Sequence, residues 1–178
     1  MKTKEILTTA LLVIVSLLLS NELLKAQEFN KKLQKYAGTL ATEIGEVEKS
    51  RIPVLDSIAE SIIRAKKKYG KSKILLVCTH NSRRSHIAQM WLETAALYYK
   101  VKEIYTFSGG IEVTAANKRA IDALGRAGFN TSVSNKNSEN PIYMITQGGG
   151  HSTSILYSKK YDDSQNPHEN FIACNGLL

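Results

Sequence analysis

Lys73-Ile74-Leu75-Leu76-Val77-Cys78-Thr79-His80-Asn81-Ser82-Arg83-Arg84-Ser85 is the stretch on which the fold turns. Ile74 to Val77 form a continuous apolar run, as a strand buried within a parallel sheet requires. A polar loop follows, and a helix is expected over residues 85–100, with Ile87, Trp91, Ala95 and Tyr98 on one side. The same rhythm then repeats. Residues 103–107 read as a second strand, closed by Ser108-Gly109-Gly110. Residues 117–127 read as a second helix, with Ile121 and Leu124 inward and Gly128 as its C-cap. Residues 141–146 suit a strand or part of a long connection, and residues 155–157 and 171–173 suit two further short strands. Residues 130–140 and 147–154 read as loops from their Asn, Ser and Gly content. Strand, helix, strand, helix implies βαβ units and an α/β domain with a mainly parallel sheet.

Upstream, Leu33, Tyr36, Ala37, Leu40, Ile44 and Val47 fall at helical spacing. Pro53 suits the first turn of a second helix, along which Leu55, Ile58, Ile62 and Ala65 line one face. Lys66-Lys67-Lys68 and Gly70 end it. The two are expected to be amphipathic helices packed on the neighbouring domain. The chain begins differently. Met1-Lys2-Thr3-Lys4 is a basic start, and residues 6–20 are nearly all apolar or small. That run is shorter than the ~20 residues that cross a bilayer comfortably. Its flanks match a secretory signal, with cleavage after Ala26, and an uncleaved membrane anchor is the alternative. The expected organisation is a signal or anchor over 1–26, a helical extension over 27–70 and the α/β domain over 71–178.

Composition sets the outer bounds. The chain has 178 residues, 43% of them apolar, which supplies a real core and excludes disorder as the default. Two cysteines, Cys78 and Cys174, exclude a disulfide scaffold. The net charge of +8 favours anionic partners. The basic residues are dispersed, without aromatic interleaving or a known motif, so no nucleic-acid partner is expected. His80, His86, His151 and His168 lack ligand spacing with the cysteines, so neither a metal nor another cofactor is expected.

The chemistry sits in the loop after the first strand. Cys78 lies at the strand end, and Arg84 stands six positions on, a C-x5-R spacing. A strand before such a loop and a helix after it make an oxyanion cradle: backbone N–H groups converge, and the helix N-terminus adds about half a positive charge. Cys78 would be the nucleophile, useful only as thiolate, whose pKa the cradle's potential lowers. Arg84 offers a planar fork for two oxygens of a phosphate or arsenate. Ser85 can donate its hydroxyl to the sulfur. Thr79, His80, Asn81, Ser82 and Arg83 would supply the backbone donors that hold the substrate, and Asn81 tolerates left-handed geometry.

These residues resemble the low-molecular-weight protein tyrosine phosphatase superfamily, which includes related arsenate reductases. The family loop has the form V-C-x-G-N-x-x-R-S, and Cys78, Asn81, Arg84 and Ser85 match it. Thr79 and Ser82 look more like the reductase branch. Phe107-Ser108-Gly109-Gly110, Ala120 to Leu124 and Gly128-Phe129 resemble the family's second strand and helix. The resemblance covers about residues 73–173. It implies a flavodoxin-like three-layer domain and a cysteinyl-phosphate mechanism that releases inorganic phosphate. The implied partners are a phosphorylated protein or small phosphomonoester, with phosphate, arsenate and vanadate as ligands or inhibitors.

The departures shape the expectation further. His80 replaces the family glycine and should point outward if the cradle keeps its shape. Arg83 stands where a second cysteine is common. The resemblance implies a late Asp-Pro loop bearing a general acid, followed by a final helix. The sequence reaches Leu178 before either, so the domain is expected to be incomplete at its C-terminus. Asp162 and Asp163 lie too early to be that acid and read as turn residues. Without the final helix one sheet face would be partly bare unless the upstream helices cover it. Three functions stay open: a phosphatase, an arsenate reductase on the same loop, and a phosphate- or phosphotyrosine-binding module without turnover. Export favours the first, because hydrolysis needs no reductant.

Overall fold

The structure, a computed structural model, describes residues 29–175. The signal or anchor expected over 1–26 lies outside the described residues. Among the described residues no helix is long and apolar enough to cross a membrane.

The sheet forms around β1 (Ser72–Cys78), the apolar run identified above. It pairs in parallel with β2 (Ile104–Gly110) on one side and β6 (Phe171–Asn175) on the other. Cys78 stands opposite Gly110, and Leu76 opposite both Ser108 and Cys174. The molecule is thus α/β, with a three-stranded parallel sheet flanked by helices, an arrangement compatible with a flavodoxin-like fold.

An upstream helix covers one face of the sheet. In α2 (Ile52–Tyr69) Ile58 and Ile62 pack on Ile74, Leu76 and Cys174 of the sheet. Ala88 and Leu92 of α3 (Arg84–Tyr98) join the same cluster. α2 enters with Pro53 in its first turn and stops at Gly70, whose φ of +72° is left-handed. α1 (Lys31–Thr42) ends earlier than its spacing suggests, giving way to 3-10 turns over Ile44–Glu46 and Lys49–Arg51. Ile44 is 64% exposed, so no buried surface extends the helix that far.

A second core holds α1 to the rest. Leu33 of α1 is fully buried among Met90, Ile121, Leu124, Phe129, Ile145 and Leu156. Ile121 and Leu124 come from α4 (Lys118–Ala127), which Asn117 caps by accepting from the Arg119 N–H at 3.0 Å. Gly128 ends that helix at φ +114°, where a Cβ would lie 2.4 Å from the Leu33 nitrogen. Only glycine lets α1 approach so closely.

Two features differ from the sequence reading. Residues 130–140 were expected to be loop, yet β3 (Asn130–Val133) is the edge of an antiparallel sheet with β4 (Tyr143–Thr146) and β5 (Ser154–Leu156). β3 is mostly exposed, so it carries no apolar alternation that would reveal it. On α3 the fully buried positions are Ser85, His86, Gln89, Met90 and Thr94, while Ala95 and Tyr98 are exposed. α3 is wedged between two cores and a polar neighbourhood, so apolar spacing misjudges its inner face.

Candidate functional site

The site lies where β1 ends. Its loop is set by what happens to its carbonyl groups. The Cys78 oxygen accepts from the Ile111 N–H (3.3 Å), Thr79 from Glu112 (2.8 Å) and Ser82 from Asn117 (2.9 Å). The His80 oxygen accepts from the Ser158 hydroxyl at 2.7 Å. The Arg83 oxygen accepts from Ile87 in the first turn of α3. With the carbonyls engaged by surrounding chain, the opposite edges of the trans peptides are left for the interior of the loop. The Ser82 hydroxyl adds an anchor by donating to the Ala115 oxygen at 2.6 Å.

Cys78 is at the focus. Burial alone would push its thiol up. The Ser85 hydroxyl and the backbone N–H groups of Ser85, Ser82 and Asn81 outweigh that, and the thiol is held below its ordinary value. The sulfur and the Ser85 oxygen are 3.1 Å apart. Asn81 fixes which of the two donates. Its Oδ1 accepts from the Lys159 N–H at 3.1 Å, so its Nδ2 is the group facing Ser85, 2.8 Å away. The Ser85 oxygen therefore accepts from Asn81, and its proton is free for the sulfur. The arrangement stabilises a thiolate at the N-terminus of α3.

Asn81 is fully buried and has φ +44°, the left-handed residue of the loop. Thr79 and His80 are exposed. The His80 ring turns outward to Glu112, with Nε2 3.2 Å from the carboxylate. Arg83 caps α3 and Arg84 is its first residue, both exposed, and Ser85 follows, buried. The structure thus gathers Cys78, Asn81, Ser82 and Ser85 closely, while the side chains of Thr79, His80 and Arg83 lie on the outer surface.

A second segment, invisible to motif reading, flanks the loop. Residues 158–161 run beside β2: the Gly110 N–H donates to the Lys159 oxygen, and the Tyr161 N–H to the Gly110 oxygen, both at 2.9 Å. A Cβ on Gly110 would lie 2.7 Å from the Asn81 nitrogen, so glycine is what brings β2 against the loop. The Lys159 ammonium is buried 4.6 Å from the centre of the Tyr157 ring. Burial pushes its pKa down to about 8, against the pull of Asp163. The Tyr157 hydroxyl donates to Asp163 at 3.1 Å; burial and that bond raise Tyr157 to about 12. Asp163 also accepts from the Gln165 N–H, closing a turn. His86, fully buried, has Nε2 3.2 Å from the Tyr157 oxygen. Its neighbourhood includes Lys159, more than 70 residues away in sequence, which no local spacing announces.

Cys174 stands apart. It is buried in the core between the sheet and α2, and burial pushes its thiol up. It pairs with Leu76, two residues before Cys78, which puts the two cysteine Cα atoms about 8 Å apart, beyond disulfide reach. Among the described residues no group of three His, Cys, Asp or Glu side chains converges as a metal site. No family model, curated protein or solved structure matches the chain.

Proposed function

We propose that the loop from Cys78 to Ser85 is an oxyanion cradle with a thiolate nucleophile. On this reading the chain is a phosphomonoesterase of the low-molecular-weight protein tyrosine phosphatase type. One observation carries the proposal: the Cys78 sulfur is the common target of three backbone N–H groups and the Ser85 hydroxyl, while the carbonyl groups of Cys78, Thr79, His80, Ser82 and Arg83 are bonded to other groups of the chain. A buried cysteine with only a packing role has no need of those donors.

The thiolate would attack phosphorus. An S–P bond forms, the P–O bond to the leaving group breaks, and the leaving oxygen takes up a proton from solvent. Water then attacks the cysteinyl phosphate, releasing inorganic phosphate and restoring the thiolate. The inward N–H groups and the Arg84 fork would hold the equatorial oxygens as charge shifts in the transition state. Ser85 stabilises the sulfur both before attack and as leaving group. No cofactor takes part.

Arsenate reduction on the same loop is less well supported. It requires electrons from further cysteines or a small-molecule thiol, and Cys174, the other cysteine of the chain, is packed in the core about 8 Å from Cys78. Export by the N-terminal segment, or retention at a membrane if that segment stays uncleaved, completes the proposal.

The test uses the full chain under reducing conditions, with Cys78→Ser as control. Hydrolysis of an aryl phosphate is followed beside protection against thermal unfolding by phosphate, arsenate and vanadate. An aryl leaving group needs little protonation, so it places least demand on a general acid. Turnover lost in Cys78→Ser supports the phosphatase. Anion protection without turnover makes the chain a phosphate-binding module. A folded protein with neither overturns the cradle reading.

A further inference from the structure

One peptide plane in the loop is held against its own preference. The unit joining His80 to Asn81 presents its N–H to the Cys78 sulfur and its carbonyl away from it. Asn81 adopts φ +44° for this, a left-handed conformation sparsely populated by residues with a Cβ, asparagine bearing it more easily than most. A half-rotation of that peptide would carry the Asn81 φ to negative values, withdraw one donor from the sulfur and aim the His80 oxygen into the cradle. Something outside the loop has to oppose this rotation.

We infer that Ser158 is a positioning residue that locks the His80–Asn81 peptide with its carbonyl outward, and so keeps the loop competent for an oxyanion. The inference rests on the cradle reading and extends it to a residue some 80 positions distant. The Ser158 hydroxyl donates to the His80 oxygen at 2.7 Å and accepts from the Thr114 N–H at 2.9 Å. With both roles occupied the hydroxyl has one orientation. The residue carrying it is itself clamped. Asn140 accepts from the Ser158 N–H at 3.0 Å and donates to its carbonyl at 2.7 Å, gripping the backbone on both sides. Ser158 is 1% exposed, so water does not compete for these bonds. Gly110 lies close against the same peptide: a Cβ there would meet the Asn81 nitrogen at 2.7 Å and the His80 carbonyl carbon at 2.9 Å. Ser158 pulls the plane outward by its oxygen, and the missing side chain at Gly110 leaves room for it.

The test needs a signal that does not depend on turnover. The rate of Cys78 alkylation by iodoacetamide against pH gives the thiolate midpoint, with Cys78→Ser as blank. Inorganic phosphate protection of the full chain gives oxyanion affinity. Ser158→Ala is expected to raise the midpoint by about one unit and to weaken phosphate binding about tenfold, the size of one hydrogen bond to a charged group. Ser158→Thr, which keeps the hydroxyl, should restore both. Gly110→Ala, which crowds the same peptide, should move both in the same direction. Folded Ser158→Ala with an unchanged midpoint and phosphate affinity overturns the inference. If Ser158→Ala does not fold, folded Gly110→Ala combined with wild-type behaviour of Ser158→Thr decides it, and an unmoved midpoint in Gly110→Ala is the negative result. A wild-type midpoint below the ordinary thiol value without any ester turnover would remove the phosphatase reading but leave the role of Ser158 measurable.

Discussion

Acidification should destabilise this protein through His86. The ring is fully buried on the first turn of α3, directly after Ser85. In the neutral ring Nε2 carries the proton and donates to the Tyr157 oxygen at 3.2 Å. Nδ1 is buried and makes no hydrogen bond in the neutral ring, so a second proton there would place a charge out of reach of water. Burial first, and the Lys159 charge second, push the pKa down to about 4, although the Tyr157 and Ser82 carbonyl groups favour the cation. In the unfolded chain His86 returns to 6.5. The unfolded state therefore binds a proton between pH 6.5 and 4 that the native state refuses. The contribution to stability is constant above 6.5, falls as the pH drops towards 4 and is flat below. A gap of about 2.5 units corresponds to about 3 kcal/mol in full, and to about 2 kcal/mol already lost at pH 5. Against a typical total of about 5–15 kcal/mol, that is a large share.

The assay is urea unfolding at a series of pH values from 7.5 to 4.5, for wild type and for His86→Gln. Glutamine keeps an N–H donor for the Tyr157 oxygen and does not titrate. Carboxylates titrate in both proteins, so the difference between the two curves isolates the histidine. The wild type is expected to lose about 2 kcal/mol more than the variant between pH 7 and pH 5. Parallel curves would refute the reasoning, because a native ring that accepts the proton freely cannot be buried as described.

Three further outcomes follow from the same contacts. Ser85→Ala removes the side-chain donor to the sulfur and should move the Cys78 alkylation midpoint up by about one unit, read with iodoacetamide against pH. Lys159→Met removes the charge that opposes the imidazolium, so the His86 transition, followed by the NMR shifts of its ring protons, should rise towards 6.5. Gly128→Ala places a Cβ in a left-handed residue and 2.4 Å from the Leu33 nitrogen. It should lower the urea midpoint by the equivalent of about 2 kcal/mol or more, without moving the Cys78 alkylation profile.

What the sequence made legible was local. The run from Ile74 to Val77, the capped helix after Asn117 and the stops at Gly70 and Gly128 are written within a few residues of where they act. So is the meeting of Cys78, Asn81 and Ser85, which one turn of loop and the start of a helix bring together. What stayed hidden was assembled by tertiary contact. Ser158 and Lys159 reach the loop from nearly 80 residues away, through one hydroxyl and one backbone N–H. The polar inner face of α3 was hidden for a related reason: Gln89 bonds the Thr106 oxygen and His86 the Tyr157 oxygen, so burial there follows hydrogen bonding rather than apolar spacing. β3 escaped because an exposed edge strand needs backbone partners more than apolar side chains.

The histidine at position 80 can now be weighed against the glycine that the resemblance leads one to expect. A glycine would be indispensable if the left-handed turn of the loop fell there. It falls at Asn81, the one loop residue with positive φ, and asparagine is among the residues that bear this conformation most easily. His80 needs only an outward direction for its side chain, and Glu112 supplies a partner at 3.2 Å on that side. The cost of the substitution is therefore steric at most, and the exposed ring avoids it. The positions that do demand a missing Cβ are on β2 rather than in the loop. Gly109 would strike the Tyr161 backbone at 2.5 Å and Gly110 the Asn81 nitrogen at 2.7 Å. The shape of the cradle is thus imposed by the strand beside it and by residues 158–161. A loop held from outside in this way can carry a side chain at His80 while the N–H groups of Asn81, Ser82 and Ser85 stay aimed at the sulfur.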